Sequence, residues 1–380
     1  MTKKNIIVST HDSLAPIFGG GALRTLKAAV ELKHRGHNVI IIAPTDKIGE
    51  LRGIKTHWLH SPKKQRSAIL SSLKFNIRLL RKFLQFIFQT DLFFIHNTIA
   101  ALFIPFLKFI FPIKFVLDIT DIHAEYLPIA KRTLFEKLMT PILLKLEYFI
   151  INSADLIIVE SNAMKNLLIS KKISAAKINV VYDGAELDEI PNNKTEDYFF
   201  NIIHLGAVDK QHGVDIIVKA IPEVIKKIEN ARFYFVGGGR ELNNIKKLAD
   251  TLNISKYCVF TDYLECNKAR DYLRRCSIGI IPRRKNLPND IVTTLKIFEY
   301  WASRTAVIAT RLQAISEISK EEEDIIFFES DNYIELSQKI IYLLQNPEKL
   351  KKIAANGYNK VQQFNWANII KQIADYTEKV

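Results

Sequence analysis

The 380-residue chain is poor in the residues that mark special protein classes: three cysteines, three methionines, three tryptophans, 14 glycines and 12 prolines. So little Gly and Pro excludes collagen-like and low-complexity sequence, and a composition 48% hydrophobic and 25% charged excludes disorder. Cys258, Cys266 and Cys276 form no CxxC pair, and an odd thiol count without a secretory leader points to reduced cysteines in the cytoplasm. The start, Met1–Lys4, leads into Asn5–Thr10, an apolar run too short for a signal peptide and without a small-residue cleavage site. HExxH, paired CxxC, GxSxG, Walker A and GxGxxG are all missing, and no His/Cys/Asp/Glu spacing matches a metal site. The longest apolar stretch, Ile99–Leu117, approaches the ~20 residues of a membrane span. Pro105, Lys108, Pro112 and Lys114 interrupt it, so it is expected to split into a short helix and a buried strand.

Acidic residues are also in deficit, 40 against 54 Lys and Arg, a net charge of +14. Such basicity suits nucleic acid, an anionic membrane or a phosphorylated substrate, and its location must decide among them. The cations between Arg66 and Lys82 alternate with Leu, Ile and Phe on a long helix candidate, Lys63–Gln89. No nucleic-acid reader motif accompanies them, so nucleic acid is not the expected partner; a surface resting on anionic lipid and a solvated amphipathic helix covering the sheet are the readings left open.

What is present is a regular alternation of strand and helix. Asn5–Thr10, Asn38–Ala43, Asp91–His96, Phe115–Asp118 and Leu156–Val159 read as strands, and Ala22–Arg35 as a helix stopped by Gly36. A polar stretch, Asp188–Asp197, reads as a linker, after which strands at Phe200–Leu205, Phe233–Val236, Val259–Thr261, Ile278–Ile281, Ala306–Ala309 and Ile325–Phe328 alternate with helices. Strands apolar throughout, rather than alternating, belong to parallel sheets covered on both faces. The fold class expected is α/β: two doubly wound, Rossmann-like domains, 1–190 and 191–362, facing each other across a cleft, with a final helix at 363–380.

Several clusters carry chemistry. Gly19–Gly21 opens the first helix, where backbone N–H groups and positive potential receive an anion; a structural turn is the alternative. Gly237–Gly239 with Arg240 repeats the design in the second half, again with a tight strand-to-helix connection as the alternative. Arg283, Arg284 and Lys285 follow the strand Ile278–Ile281, either as cleft cations or as a solvated loop. Glu299, on the helix Thr294–Ala302, either meets ligand hydroxyls or pairs with Lys296 one turn earlier. His204, Asp209, Lys210 and His212 cluster after the second half's first strand, and Asp118, Asp121 and His123 are the acid/base candidates of the first half.

Together these positions resemble the GT-B glycosyltransferases of family 4, the group of many bacterial polysaccharide and lipopolysaccharide enzymes. Eight segments fall in family order: Gly19–Arg24, the Arg35–Val39 "RGHxV" turn, the acidic loop Asp118–Glu125, Ala154–Ser161, Val181–Glu186, Leu205–Gly213, Val236–Arg240 and Lys296–Tyr300. There are departures: Ala207 and His212 stand where the family places phosphate-binding Arg and Lys, Ile291 replaces the first of two paired glutamates with Asp290 one residue away, Thr120 stands where relatives carry His or Arg, and Arg304 replaces a glycine. The resemblance implies a retaining transferase using a nucleotide-diphosphate sugar, with no cofactor or essential metal. It implies donor contacts from Gly20, Gly21, Lys210, His212, Gly238, Gly239, Arg240, Arg283, Arg284, Thr294, Leu295 and Glu299, with Glu299 on the ribose and the backbone at Thr294 and Leu295 near the diphosphate. Asp121 is implied as the residue orienting acceptor or sugar, and Arg78, Arg81, Lys82 and His123 as the acceptor or membrane side. Expected partners are a nucleotide sugar, a glycan or polyprenyl-diphosphate-linked acceptor and the anionic inner face of the cell membrane. A non-catalytic GT-B subunit and a sugar-nucleotide 2-epimerase are the competing readings.

Overall fold

The computed structural model describes residues 2–15, 17, 19–44, 49–59, 68–129, 134–187 and 196–380. Lys63–Arg66 of the long helix candidate and most of the expected linker, 188–195, lie outside the described residues. The chain divides into two compact units, Met1–Asp183 with Ala367–Val380, and Gly184–Trp366. The division falls a few residues from the expected 190 and 362 because the backbone at Ala185 pairs with Phe364 and Trp366, tying the segment after Asp183 to the second unit.

The first unit is built on β1 (Asn5–Thr10), β2 (Asn38–Pro44), β3 (Gly49–Leu51), β4 (Ile54–Leu59), β5 (Leu92–His96), β6 (Lys114–Ile119), β7 (Leu156–Val159) and β8 (Ile178–Val180). Their order is β3-β4-β2-β1-β5-β6-β7-β8, parallel except for β3 against β4. Ile6, Ile7 and Val8 of β1 and every residue of β5 are buried, as expected for strands sandwiched between helices. Ile99–Leu117 does split: helix Ile104–Ile110 precedes β6. The Lys63–Gln89 candidate is a helix over Ala68–Phe86 followed by a 3-10 turn. Helix Gly20–His34 ends at Gly36 with φ +92, and the turn that follows receives the last helix, Trp366–Glu378. Arg35 pairs with Asp375 and Glu378, and His37 with Glu378, so the "RGH" turn anchors the chain's final helix. Among the described residues no helix is long and apolar enough to cross a membrane.

The second unit carries β9 (Asn201–Leu205), β10 (Arg232–Val236), β11 (Cys258–Asp262), β12 (Ile278–Ile281), β13 (Ala306–Thr310) and β14 (Ile326–Phe328), all parallel, in the order β11-β10-β9-β12-β13-β14. Its core joins Val214, Ile217 and Ile221 of the first helix to Phe233, Phe235 and Ile308 of the sheet.

Candidate active site

In an open parallel sheet, the strand order reverses at one point, and connections leave the sheet there in opposite directions, opening a crevice beyond the carboxyl ends. In the second unit that point lies between β9 and β12. The chain leaves β9 through Gly206 and makes a 3-10 turn, Lys210–His212, before helix Val214–Ile225. Gly213, at φ +66, lets this turn press on the end of β12: a Cβ there would lie 1.9 Å from the Pro282 carbonyl oxygen. His212 is thereby set beside Arg283, and the Arg284 N–H donates to the Gln211 carbonyl at 3.1 Å.

Lys296 comes to the same crevice from helix Leu295–Ala302. Its stem covers Gly206, Cε lying 2.8 Å from where a Cβ would stand. Burial and the neighbouring Arg283 pull the Lys296 ammonium down to about 8, against the supporting field of Glu299. Arg283 is buried, donates one Nη2 bond to Asn289 Oδ1 at 2.6 Å, and leaves Nε without a partner. Burial and Lys296 likewise pull His204 down to about 3, and burial, Lys296 and Arg283 keep His212 neutral with its Nδ1 unpartnered. Among the described residues neither Lys296 nor Arg283 makes a salt bridge. Buried Arg283 and half-buried Lys296 repel each other with no carboxylate in salt-bridge contact, and an anion seated between them would offset that cost. Thr294, the residue before the helix, sits at φ +72; a β-branched residue there costs about 1–3 kcal/mol, strain that gathers where backbone is held for a ligand.

The other expected donor residues are placed as follows. Lys210 and Arg240 are exposed on the rim, the Arg240 N–H donating to Asp209 Oδ1 at 3.1 Å. Arg284 is not a spare cation: its guanidinium pairs with Asp215 at 2.8 Å and Asp331 at 2.9 Å and donates to the Lys210 carbonyl. Gly238 and Gly239 are explained by packing, since side chains there would meet Asp262 Oδ1 at 2.2 Å and the Val208 carbonyl at 2.3 Å. Glu299 borders a small pocket with Glu186, Arg270, Arg274 and Ser303. Lys296 is the residue that sequence reasoning missed as a site cation: the Lys296/Glu299 spacing signalled only a helical pair, while its position over Gly206 is tertiary.

The first unit has its own reversal point, between β1 and β5. Gly21 stands over it; a side chain there would meet His96 Nε2 at 2.6 Å and Asp12 Oδ2 at 2.8 Å. Gly20, beside it, is the first residue of helix Gly20–His34. Beneath, fully buried Arg24 binds Asp118 through Nε at 2.9 Å and Nη2 at 2.9 Å, Asp183 at 3.1 Å, and the carbonyls of Val181 and Tyr182. His96 Nδ1 lies 2.9 Å from Asp118 Oδ2. Burial alone would raise the Asp118 carboxyl, but Arg24 and His96 hold it at about 2, so at neutral pH Asp118 is a charged anchor for both. Arg24 and Asp183 lie in the segments Gly19–Arg24 and Val181–Glu186 that carry the family resemblance, but the sequence assigned no role to them or to His96.

Asp121 accepts a hydrogen bond from the Tyr126 hydroxyl at 2.8 Å, and its N–H and that of Thr120 donate to Asn97 Oδ1. Glu147 accepts from the N–H groups of His123 and Ala124, fixing the same loop. The His123 ring meets His11 edge-on at 5.1 Å, and the Nδ1 of each lacks a partner. Burial, against Asp12 and aided by His123 and His96, lowers His11 to about 4. Asp121 and His123 thus share one loop above the first crevice, whereas Arg78, Arg81 and Lys82 lie on helix Ala68–Phe86, the two arginines exposed. Among the described residues no group of His, Cys, Asp and Glu is arranged to hold a metal ion.

Two family profiles match the chain, "Glycosyltransferase Family 4" over residues 18–189 and "Glycosyl transferases group 1" over 200–346. An uncharacterized glycosyltransferase of Methanocaldococcus jannaschii is 25% identical over 228 residues, a match spanning 60% of each chain. Among solved structures, sucrose-phosphate synthase from Thermosynechococcus elongatus superposes with a TM-score of 0.83 at 16% identity over 99% of both chains. The Anabaena protein HepE in complex with UDP-glucose superposes with a TM-score of 0.77 at 16% identity, over 99% of this chain and 100% of that one. With the two family profiles together covering most of its length, the chain belongs to the group 1, family 4 glycosyltransferases and has the GT-B fold.

Proposed function

We propose that the protein transfers a sugar, with retention of configuration and without a metal cofactor, from a nucleotide-diphosphate donor to a glycan or polyprenyl-diphosphate-linked acceptor in cell-surface polysaccharide synthesis. The observation that carries the donor half is the pair Arg283 and Lys296, neighbouring cations in the second unit's crevice, neither of which makes a salt bridge among the described residues. Departure of a nucleoside diphosphate builds negative charge on its β-phosphate, and fixed cations in a sheltered site stabilise it without reorganising. They take over from the family's Arg and Lys, whose places Ala207 and His212 occupy. The strained turn at Thr294 presents the backbone at the start of helix Leu295–Ala302 to the same group, and Glu299 meets the ribose. Gly20, Gly21, Asp121 and His123 in the first unit orient sugar and acceptor. The HepE complex with UDP-glucose supports a uridine donor. The basic helix Ala68–Phe86, lacking any acidic residue, supports a position on the anionic inner face of the membrane.

A thermal-shift screen of UDP- and GDP-sugars tests this, because a ligand bound only by the folded state raises its stability. At least one donor is expected to raise the melting temperature of the parent and not of Arg283→Met or Glu299→Ala. A parent that responds to none, or variants that respond like the parent, overturns the donor assignment. The anomeric configuration of the product, read by NMR, tests retention.

A further inference from the structure

The first unit carries an apolar surface that the transfer reaction does not use. Helix Ile104–Ile110 turns Phe109 and Ile110 outward, 79% and 73% exposed. Helix Leu134–Ser153 exposes Leu138, Ile142, Lys145 and Phe149, spaced by four, three and four residues and therefore on one face. The two surfaces join where the rings of Phe106 and Phe149 meet at 6.0 Å. At the far end of the short helix, Phe111 meets Phe88, which is 88% exposed. Isolated exposed apolar residues need no explanation, but a joined row across two helices marks a contact surface.

Charge identifies what it contacts. Residues 51–117 hold eleven Lys and Arg and a single acid, Asp91. Beside the apolar stripe lies an open recess of about 360 Å³ lined by Leu144, Lys145, Tyr148 and Lys171. Lys171 Nζ stands 5.2 Å over the Tyr148 ring, and among the described residues neither lysine makes a salt bridge. Exposed apolar residues beside Lys145 and Lys171, with Lys108 of the short helix already paired to Asp155, suit an element resting in the headgroup layer of an anionic bilayer.

We propose that helix Ile104–Ile110 and the outer stripe of helix Leu134–Ser153 are the face the chain embeds in an anionic membrane, with a lipid phosphate held between Lys145 and Lys171. This rests on the membrane position given above and deepens it: penetration is by Phe109 and Ile110, while helix Ala68–Phe86 contributes only long-range attraction.

Flotation of the full chain with phosphatidylcholine vesicles, with and without phosphatidylglycerol, tests it. The parent is expected to float with the anionic vesicles only. Phe109→Glu with Ile110→Glu, and Lys145→Glu with Lys171→Glu, are each expected to lose at least about tenfold in binding, while Arg78→Gln with Arg81→Gln, which weakens only the long-range attraction, is expected to lose less. Parent-like binding by the Phe109/Ile110 pair, or a parent indifferent to phosphatidylglycerol, overturns the proposal. Should the charged pair fail to fold, Ile110→Cys carrying an environment-sensitive dye reports the same point: a blue shift on anionic vesicles supports it and unchanged emission overturns it. Donor binding measured without vesicles separates the two readings, because its loss with flotation intact overturns the transferase reading alone.

Discussion

Replacing Lys296 by methionine keeps the stem over Gly206 and removes the charge. In the parent the ammonium falls from 10.5 to about 8 through burial and Arg283. At about 1.4 kcal/mol per pH unit, the charged form costs the ligand-free fold on the order of 3 kcal/mol at neutral pH. The unfolded lysine keeps its proton to 10.5 while the folded one releases it near 8, so between those values the unfolded chain binds more protons and stability rises with pH. Below pH 8 the penalty is present in full. Lys296→Met is therefore expected to be more stable than the parent at pH 7 by up to ~3 kcal/mol, the advantage shrinking from pH 8 toward 10.5. If the donor diphosphate sits as proposed, the same change is expected to remove a charge-assisted contact of about 1.5–3 kcal/mol, roughly a tenfold to hundredfold loss of affinity for UDP or GDP. Urea unfolding of both proteins at pH 7 and pH 10, with calorimetric titration of UDP and GDP at pH 7, measures the two halves. A variant less stable than the parent at pH 7 that binds nucleotide equally well would show the lysine to be structural and refute the reasoning.

Gly357, inside helix Pro347–Val361, reverses the usual rule that alanine stabilises a helix: a Cβ would lie 2.2 Å from Cδ1 of buried Trp301, whose Nε1 is tied to the Asp324 carbonyl at 3.0 Å. Gly357→Ala is expected to cost about 1–3 kcal/mol in urea unfolding; a gain would show that the ring has room to move. Asp118→Asn leaves Arg24 short of its main counter-charge and is expected to cost about 3–5 kcal/mol at pH 7. Because folding lowers the Asp118 pKa from 3.8 to about 2, its contribution is complete above 3.8 and disappears as pH falls through 2; parent and variant stabilities are expected to converge by about 2 kcal/mol over that window.

Most strands were legible because a buried parallel strand must be apolar at every position, and β7 and β12 carry the predicted bounds. β3, β4 and the three-residue β8 were not: Ile54–Leu59 mixes Ile and Leu with Lys55, Thr56 and His57 near the sheet's edge, and β8 is the opposite edge. Helix Pro347–Val361 was hidden by its Asn356–Gly357 pair, a turn signal overridden by the close approach of Trp301. Among site residues, Arg283 was legible as a cation following a strand, and Arg284 looked identical beside it. Only the placement of Asp215 and Asp331 separates a neutralised brace from an unpaired cation.

The sequence by itself determined the α/β alternation, the two-unit plan and the family, because strand burial and turn chemistry are local properties of successive residues. Which charges are spent and which are left for a ligand was decided only by tertiary structure. Arg24, Asp118 and Asp183 come from three separate parts of the chain, and Lys296 meets Arg283 and His212 only where β9 and β12 part. Electrostatic work depends on distance and burial in space, and no spacing along the chain encodes either.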